Sequence, residues 1–226
     1  MKRLAPVLGF AMLISATAAF ADKDEHERKW TFESDKASEL PKGWSVAETS
    51  GSGTPAKWEV VKGGAGKSKQ AVAITANKNY GHTFNMLIAD GTSYKDLEIE
   101  VKVKAVAGKE DQGGGPVWHY KDANNYYVCR WNPLEDNIRL YFVKNGRRRQ
   151  IASAKIKADT SKWHEIKVEQ NGNKIEVEFD DKDMFEVKDT TLSEAGKVGL
   201  WVKADGRSSF DNFEVSSESG DDEDDD

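Results

Sequence analysis

The stretch LEIEVKVK, residues 97–104, alternates apolar and charged side chains along its whole length. A period of two puts successive side chains on opposite faces of a β-strand, so this pattern predicts a strand with one buried and one solvated face. The same alternation recurs in four other segments, which are residues 137–143, 165–169, 174–179 and 198–203. Most of the chain is therefore predicted to be built from strands.

Turn signals lie between these strands. Residues 144–146 (KNG) and 171–173 (NGN) are typical of hairpin turns, because asparagine and glycine accept a positive φ at little cost. No segment sustains the period of a helix. Many short strands joined by turns predict an all-β fold, an antiparallel sandwich whose inner faces are apolar and whose outer faces are polar.

The N-terminal residues have the pattern of a secretory signal peptide. Two bases follow Met1, an apolar run extends to Phe20, and the small residues around Ala21 form a cleavage site. An uncleaved membrane anchor is the alternative, but this run is short and rich in small residues. We expect a signal peptide over residues 1–21, no membrane span after its cleavage, and a periplasmic or secreted protein.

The formal net charge of −6 is concentrated at the C-terminus, where residues 218–226 hold seven acids and no base. Such a run of like charges predicts a disordered acidic tail. Without this tail and the two bases of the signal peptide, residues 22–217 hold 31 bases and 32 acids. They are predicted to form one domain that does not bind nucleic acid, because they are neutral and the only arginine run, residues 147–149, follows a predicted turn.

Four motifs carry a resemblance to a known family. They are F…LP-GW at residues 32–44, W-H-x-I-x-V at 163–168, G-K-V-G-L-W at 196–201 and F-D-N-F-x-V at 210–215. In this order they resemble secreted bacterial domains of the concanavalin A-like lectin/glucanase superfamily, most closely the 3-keto-disaccharide hydrolase-type domain, often labelled family 16 glycoside hydrolase-like. The resemblance implies a jelly-roll β-sandwich with its first and last strands side by side, and a concave sheet that binds ligand.

The alternation predicts which side chains lie on that concave sheet. Between residues 126 and 132, the more apolar Tyr127, Cys129 and Trp131 are predicted to point into the core, which turns their neighbours outward. Aromatic faces stack on sugar rings, while arginine and amide groups bond vicinal hydroxyls. The alternative is an ordinary solvated sheet face. The predicted ligand-binding residues are Tyr126, Arg130, Asn132, Arg139, Tyr141, Trp201 and Lys203.

Three functions remain open from the sequence. The first is a carbohydrate-binding domain for an oligo- or polysaccharide. The second, implied by the resemblance, is a hydrolase or lyase for 3-keto-disaccharides, with Glu135 or His119 as the base and an arginine polarising the ketone. Here His119 is predicted to face outward. The third is a module that binds another protein with the same sheet. The paired carboxylates of the retaining glucanases, E-x-D-x-x-E on one strand, are absent from the sequence.

A metal is the remaining question. The resemblance implies one structural calcium ion where the first and last strands meet, with Glu33 and Asp211 as hard oxygen ligands. The alternative is two surface acids near a strand end. No other cofactor is predicted, and the absence of a histidine or cysteine cluster disfavours zinc.

Overall fold

The computed structural model describes residues 27–51 and 53–217, which form an all-β sandwich of two antiparallel sheets, as the sequence predicted. The described residues contain no helix, and so none that could cross a membrane. The signal peptide over residues 1–21 and the acidic tail over residues 218–226 lie outside the described residues.

Fifteen strands make up the two sheets. In chain order they are β1 (Glu27–Trp30), β2 (Trp44–Thr49), β3 (Lys57–Lys62), β4 (Gln70–Ala76), β5 (Phe84–Ala89), β6 (Leu97–Ala107), β7 (Gly115–Asp122), β8 (Asn125–Asn132), β9 (Asn137–Lys144), β10 (Arg147–Lys155), β11 (His164–Asn171), β12 (Lys174–Phe179), β13 (Lys182–Lys188), β14 (Lys197–Lys203) and β15 (Arg207–Ser217).

Sheet A has the strand order β13-β12-β11-β6-β15-β4-β3, and β1 also pairs with β15. Sheet B has the order β10-β9-β8-β7-β14-β5-β2. The pairing of β1 with β15 places Trp30 opposite Phe213, so the first and last described strands lie side by side. The crossovers between non-consecutive neighbours are those of a jelly roll.

The core lies between the two sheets. The apolar side chains of LEIEVKVK are completely buried there, and the charged ones are only partly buried on the other face of β6. Tyr127, Cys129 and Trp131 enter the same core from β8, which confirms their predicted direction. Trp131 packs with Phe179 and His164, whose ring centroids lie 5.6 and 4.9 Å from its own. Burying side chains of this size supplies about 1.5–3 kcal/mol each relative to leaving them in water.

Strand β7 departs from the predicted alternation. His119 has φ +47°, and the pairing of β7 shifts register against both of its neighbours around this residue. A bulge of this kind inserts one residue and reverses the faces beyond it. The predicted outward position of His119 is therefore wrong: its ring packs against Tyr127 of the core, and its two nitrogens lie 2.9 and 2.7 Å from the carbonyl oxygens of Leu192 and Lys95.

The same bulge turns Tyr120 to the opposite side of sheet B, where its ring stacks with that of Tyr126 at 6.1 Å. Gly196 makes the bulge possible. A Cβ at this position would lie 2.5 Å from the backbone carbonyl carbon of His119, so no larger residue fits against the bulged backbone.

Candidate functional site

The face of sheet B that points away from the core curls over itself. The hydroxyls of Thr49 on β2 and Tyr126 on β8 lie 2.7 Å apart, although three strands separate β2 from β8. The Arg148 guanidinium on β10 lies 4.9 Å from the Phe84 ring centroid on β5. In a flat sheet β10 and β5 would be about 24 Å apart at the usual spacing between strands. We call this surface the concave face.

One half of the concave face is closed and aromatic. The hydroxyl of Tyr126 accepts a hydrogen bond from Nε1 of Trp201 at 3.4 Å, and Trp201 packs on Phe84 at 5.2 Å between ring centroids. Burial raises the pKa of Tyr126, which keeps its hydroxyl neutral. Tyr126 and Trp201 lie on the predicted face, but neither side chain has surface in contact with solvent.

Arg148 covers this aromatic half. It faces the same side as Val143, its partner on β9, and its guanidinium carbon lies 4.3 Å from the Tyr141 ring centroid and 5.8 Å from that of Trp201. Stacking of this kind is favourable by about 0.5–2 kcal/mol. Burial lowers the pKa of Arg148, and its Nη1 is buried without a hydrogen-bond partner among the described residues.

The other half of the concave face is polar. Asp111 is almost completely buried. It accepts a hydrogen bond from Nδ2 of Asn132 at 3.2 Å and forms an ion pair with Nζ of Lys203 at 3.1 Å. Burial raises the pKa of Asp111, while the charges of Arg130 and Lys203 oppose that shift. The carboxylate of Asp205 fixes the backbone here by accepting the amide N–H of Asp111 at 3.1 Å.

Glu135 closes the polar half on its other side. Its Oε2 accepts hydrogen bonds from Arg139 Nη1 at 2.7 Å, Asn137 Nδ2 at 3.1 Å and Arg130 Nη2 at 3.2 Å. Partial burial would raise the pKa of Glu135, but the Asn137 hydrogen bond and the charges of the two arginines outweigh it and hold that pKa below its usual value. The carboxylate therefore remains ionised at neutral pH.

Arg130 joins the two halves. It is 1% exposed, its Nη2 lies 3.4 Å from the Tyr141 hydroxyl, and its guanidinium carbon is 5.9 Å from the centroid of that ring. Its Nε and Nη1 have no hydrogen-bond partner in the described part of the chain. A buried guanidinium with two unpaired donors is costly, so this position is set up to donate to something else.

The structure brings the seven predicted ligand-binding residues onto one face, together with Glu135, but leaves His119 on the core side of sheet B. Sequence reasoning missed two residues of the face. Asp111 lies in the loop before β7, outside any alternating run, and Arg148 belongs to the arginine run beside a predicted turn. If a strand is predicted to start at Arg147, the alternation places Arg148 on the opposite face from Arg147 and Arg149.

The predicted calcium ligands also lie close together. The Oε1 of Glu33 accepts hydrogen bonds from Ser68 Oγ at 2.8 Å and Lys69 N at 2.6 Å, and Oδ2 of Asp211 accepts one from Ala65 N at 2.8 Å. Asp211 is fully buried, and burial together with the charge of Glu33 raises its pKa. Within the described residues, neither carboxylate has an ion-pair partner, and no group of three acidic, histidine or cysteine side chains is placed to hold a metal.

A separate groove lies between the edge strands β2 and β3. It has a volume of about 590 Å³ and an apolar lining that includes Leu40, Val46, Pro55 and Trp58. Among the described residues, its lining also includes Lys57, Asn77 and Lys78 but no carboxylate or arginine, which makes it a poorer match to a polyhydroxylated ligand.

Known proteins resemble this chain in sequence and in fold. No protein-family model matches the chain. It is 27% identical over 124 residues to a levanase of Bacillus subtilis (strain 168), a match that spans 54% of this chain and 18% of the levanase. The matched part is thus less than a fifth of that protein's length.

Two solved structures have the same fold. A carbohydrate-binding module, CBM66 from Bacillus subtilis, superposes with a TM-score of 0.60 at 21% identity over 77% of this chain and 96% of the module. The exoplasmic/lumenal domain of VIP36, in its Ca²⁺- and mannose-bound form, gives a TM-score of 0.55 at 14% identity over 87% of this chain and 91% of that domain. These similarities show the fold.

Proposed function

We propose that the protein is an exported carbohydrate-binding domain that holds an oligo- or polysaccharide in the polar half of the concave face. The observation that carries the proposal is the convergence of Arg130, Asn132, Lys203, Asp111 and Glu135 in one concavity. Buried charged groups with unpaired donors are stabilised by a ligand that supplies the missing hydrogen bonds. The relatives support this reading, because they include a carbohydrate-binding module and a mannose-bound domain.

Each part of the face has a role in this proposal. A carboxylate accepts from two adjacent sugar hydroxyls, as the partly exposed Glu135 is placed to do, and the arginine forks donate to ring and hydroxyl oxygens. The buried Asp111 holds Asn132 and Lys203 in position. Tyr126 and Trp201 act from beneath, because they have no exposed surface on which a sugar ring can stack. Their packing fixes the positions of Tyr141 and Arg148 above them.

The hydrolase alternative, a 3-keto-disaccharide hydrolase-type activity, has less support from the geometry. A general base works best when its pKa lies near the operating pH. Glu135 is held in its ionised form by three donors, which lower its pKa, and His119 faces the core. The arrangement suits a carboxylate that binds hydroxyls better than one that removes a proton.

We also propose one structural calcium ion beside Glu33 and Asp211. Asp211 is a fully buried carboxylate next to a second carboxylate, and neither has an ion-pair partner among the described residues. Calcium prefers carboxylate and backbone carbonyl oxygens, and both carboxylates here lie against the segment of residues 65–69, from which they accept hydrogen bonds. The ion would link this loop, which precedes β4, to the last strand and so stabilise the fold. It would take no part in sugar binding.

The proposed function is tested by binding to a panel of immobilised glycans, followed by calorimetry on the best ligand. Arg139→Ala removes a half-exposed donor of the site and should weaken binding about tenfold, the usual value of one charge-assisted hydrogen bond. Lys167→Ala, an exposed site on sheet A whose partner is Glu98, is the matched control and should bind normally. Absence of binding to every glycan contradicts the proposal.

A further inference from the structure

The charges of the concave face do not balance. Arg130, Arg139, Arg148 and Lys203 carry four positive charges, and Asp111, Glu135 and Asp205 carry three negative ones, so the cluster has a formal charge of +1. Three of these cations are mostly buried, where an unpaired charge is much more costly than on the surface. This positive excess is local to the concave face, since the whole chain has a formal net charge of −6.

The excess is greatest around Tyr141. Its ring lies close to two guanidinium groups, with Arg148 at 4.3 Å and Arg130 at 5.9 Å from the ring centroid. The charge of each disfavours the charge of the other, and Arg130 contributes to the lowered pKa of Arg148. Glu135 and Asp111 pair with Arg130, Arg139 and Lys203, but no carboxylate of the described residues lies within ion-pair distance of Arg148.

Unpaired donors accompany the unpaired charge. Nε and Nη1 of Arg130 and Nη1 of Arg148 are buried without a hydrogen-bond partner among the described residues. Arg148 as a whole residue is partly exposed, in contrast to Arg130. Two planar guanidinium groups beside the same ring fit an anion with two or more oxygens, since the fork geometry matches carboxylates and oxyanions.

We infer that the saccharide bound here carries an acidic group, a uronic acid carboxylate or a sulfate ester, and that Arg148 and Arg130 bind it. This inference rests on the proposed carbohydrate-binding function and names its ligand class. The acidic group neutralises the excess positive charge, while the partly exposed Glu135, Arg139 and Lys203 bind the hydroxyls of the same sugar ring. A neutral glycan would leave Arg148 without a counter-charge.

The test compares each acidic glycan with its neutral partner on the full chain, by calorimetry at low and at physiological salt. Polygalacturonate, alginate and hyaluronate are each paired with their carboxyl-reduced forms, and dextran sulfate is paired with dextran. We expect at least a tenfold preference for the acidic form in one of the two arms, decreasing as salt rises. The arm that shows the preference identifies the group as carboxylate or sulfate.

Variants of neighbouring arginines provide the control. Arg148 and Arg149 are adjacent on β10 but face opposite sides, because Arg149 pairs with Phe142 and Arg148 with Val143. Arg148→Gln should remove the preference for the acidic glycan, and Arg149→Gln should preserve it. Arg148→Lys retains the charge without the fork and should keep part of the preference, and the comparison on the unaltered chain stands if Arg148→Gln does not fold.

The outcomes separate this inference from the proposed function. Equal affinity for acidic and neutral partners, or an equal loss in Arg148→Gln and Arg149→Gln, overturns the inference. Binding to neutral glycans such as levan or arabinan, without binding to any acidic one, also overturns it and leaves the carbohydrate-binding function in place. Absence of binding to every glycan in both sets overturns both.

Discussion

The guanidinium carbon of Arg148 lies 4.3 Å from the centroid of the Tyr141 ring, on the neighbouring strand. The same group reaches across the curled sheet to Phe84 at 4.9 Å and Trp201 at 5.8 Å. One side chain from an edge strand thus covers the aromatic half of the concave face. This contact divides the face into a closed aromatic half and a polar half with partly exposed charges at Glu135, Arg139 and Lys203, and it leaves a positive charge at the boundary.

The cover provided by Arg148 should contribute to stability. We expect Arg148→Ala to lower the free energy of unfolding by about 1–2 kcal/mol, because the stacking on three rings is lost and apolar surface is exposed. Urea denaturation followed by circular dichroism measures the change. Arg149→Ala, an exposed neighbour on the other face of β10, should change it by less than about 0.5 kcal/mol. Equal effects of the two substitutions would contradict the assigned contacts.

Glu135 and Asp111 should affect the pH dependence of stability in opposite directions. The folded-state pKa of Glu135 is lowered from 4.5, so its stabilisation is present above that pH and is lost as the pH falls further. The folded-state pKa of Asp111 is raised from 3.8, so its contribution grows as the pH falls toward that value. Urea unfolding between pH 3 and 7 should show a weaker acid loss in Glu135→Gln and a stronger one in Asp111→Asn. A stronger acid loss in Glu135→Gln than in Asp111→Asn would contradict the directions assigned to the two pKa shifts.

Calcium should stabilise the protein through Asp211. A free calcium concentration about 100 times the dissociation constant adds about 2.7 kcal/mol, which corresponds to a rise of several degrees in melting temperature. Excess EGTA should reverse the rise, and Asp211→Asn should abolish it. Glu59→Gln is a suitable control, because Glu59 is paired with Lys57 and lies away from Asp211 in sequence. A melting temperature that is the same with calcium and with EGTA would refute the proposed ion.

Gly196 should be intolerant of any side chain. A Cβ there would approach the backbone carbonyl carbon of His119 to 2.5 Å, so Gly196→Ala must displace β7 and should cost about 1–3 kcal/mol. Gly53→Ala is the control, since its Cβ would meet Asn79 at an ordinary 3.7 Å. Thermal denaturation of the two variants gives the comparison. Little or no loss in Gly196→Ala would mean that the bulge at His119 is not held as described.

The sequence predicted the faces of the regular strands well because alternation is a local property. In LEIEVKVK and in β8 it correctly separated core residues such as Cys129 from Arg130 and Asn132. It failed in β7, where the bulge at His119 reverses the faces of the following residues. A bulge depends on which backbone lies alongside, here that of Gly196, and a single strand's pattern does not contain this information.

The site was less predictable than the fold. Alternation assigns a residue to a face but does not say how strongly the sheet curls, so it could not reveal that Tyr126 and Trp201 are covered by Arg148. Asp111 was missed because it lies in a loop, where its position depends on contacts with Asn132, Lys203 and Asp205. Residues of this kind become visible only when distant segments are brought together.

The central claim is that a saccharide binds in the polar half of the concave face. The most direct measurement is a map of backbone amide chemical shifts in the isotope-labelled protein during titration with the best ligand of the glycan panel. We predict that the shifts cluster at Asp111, residues 130–139, Arg148 and Lys203, and that Arg139→Ala weakens the response about tenfold. Shifts confined to the apolar groove around Leu40 and Trp58, or to the outer face of sheet A, would contradict the account.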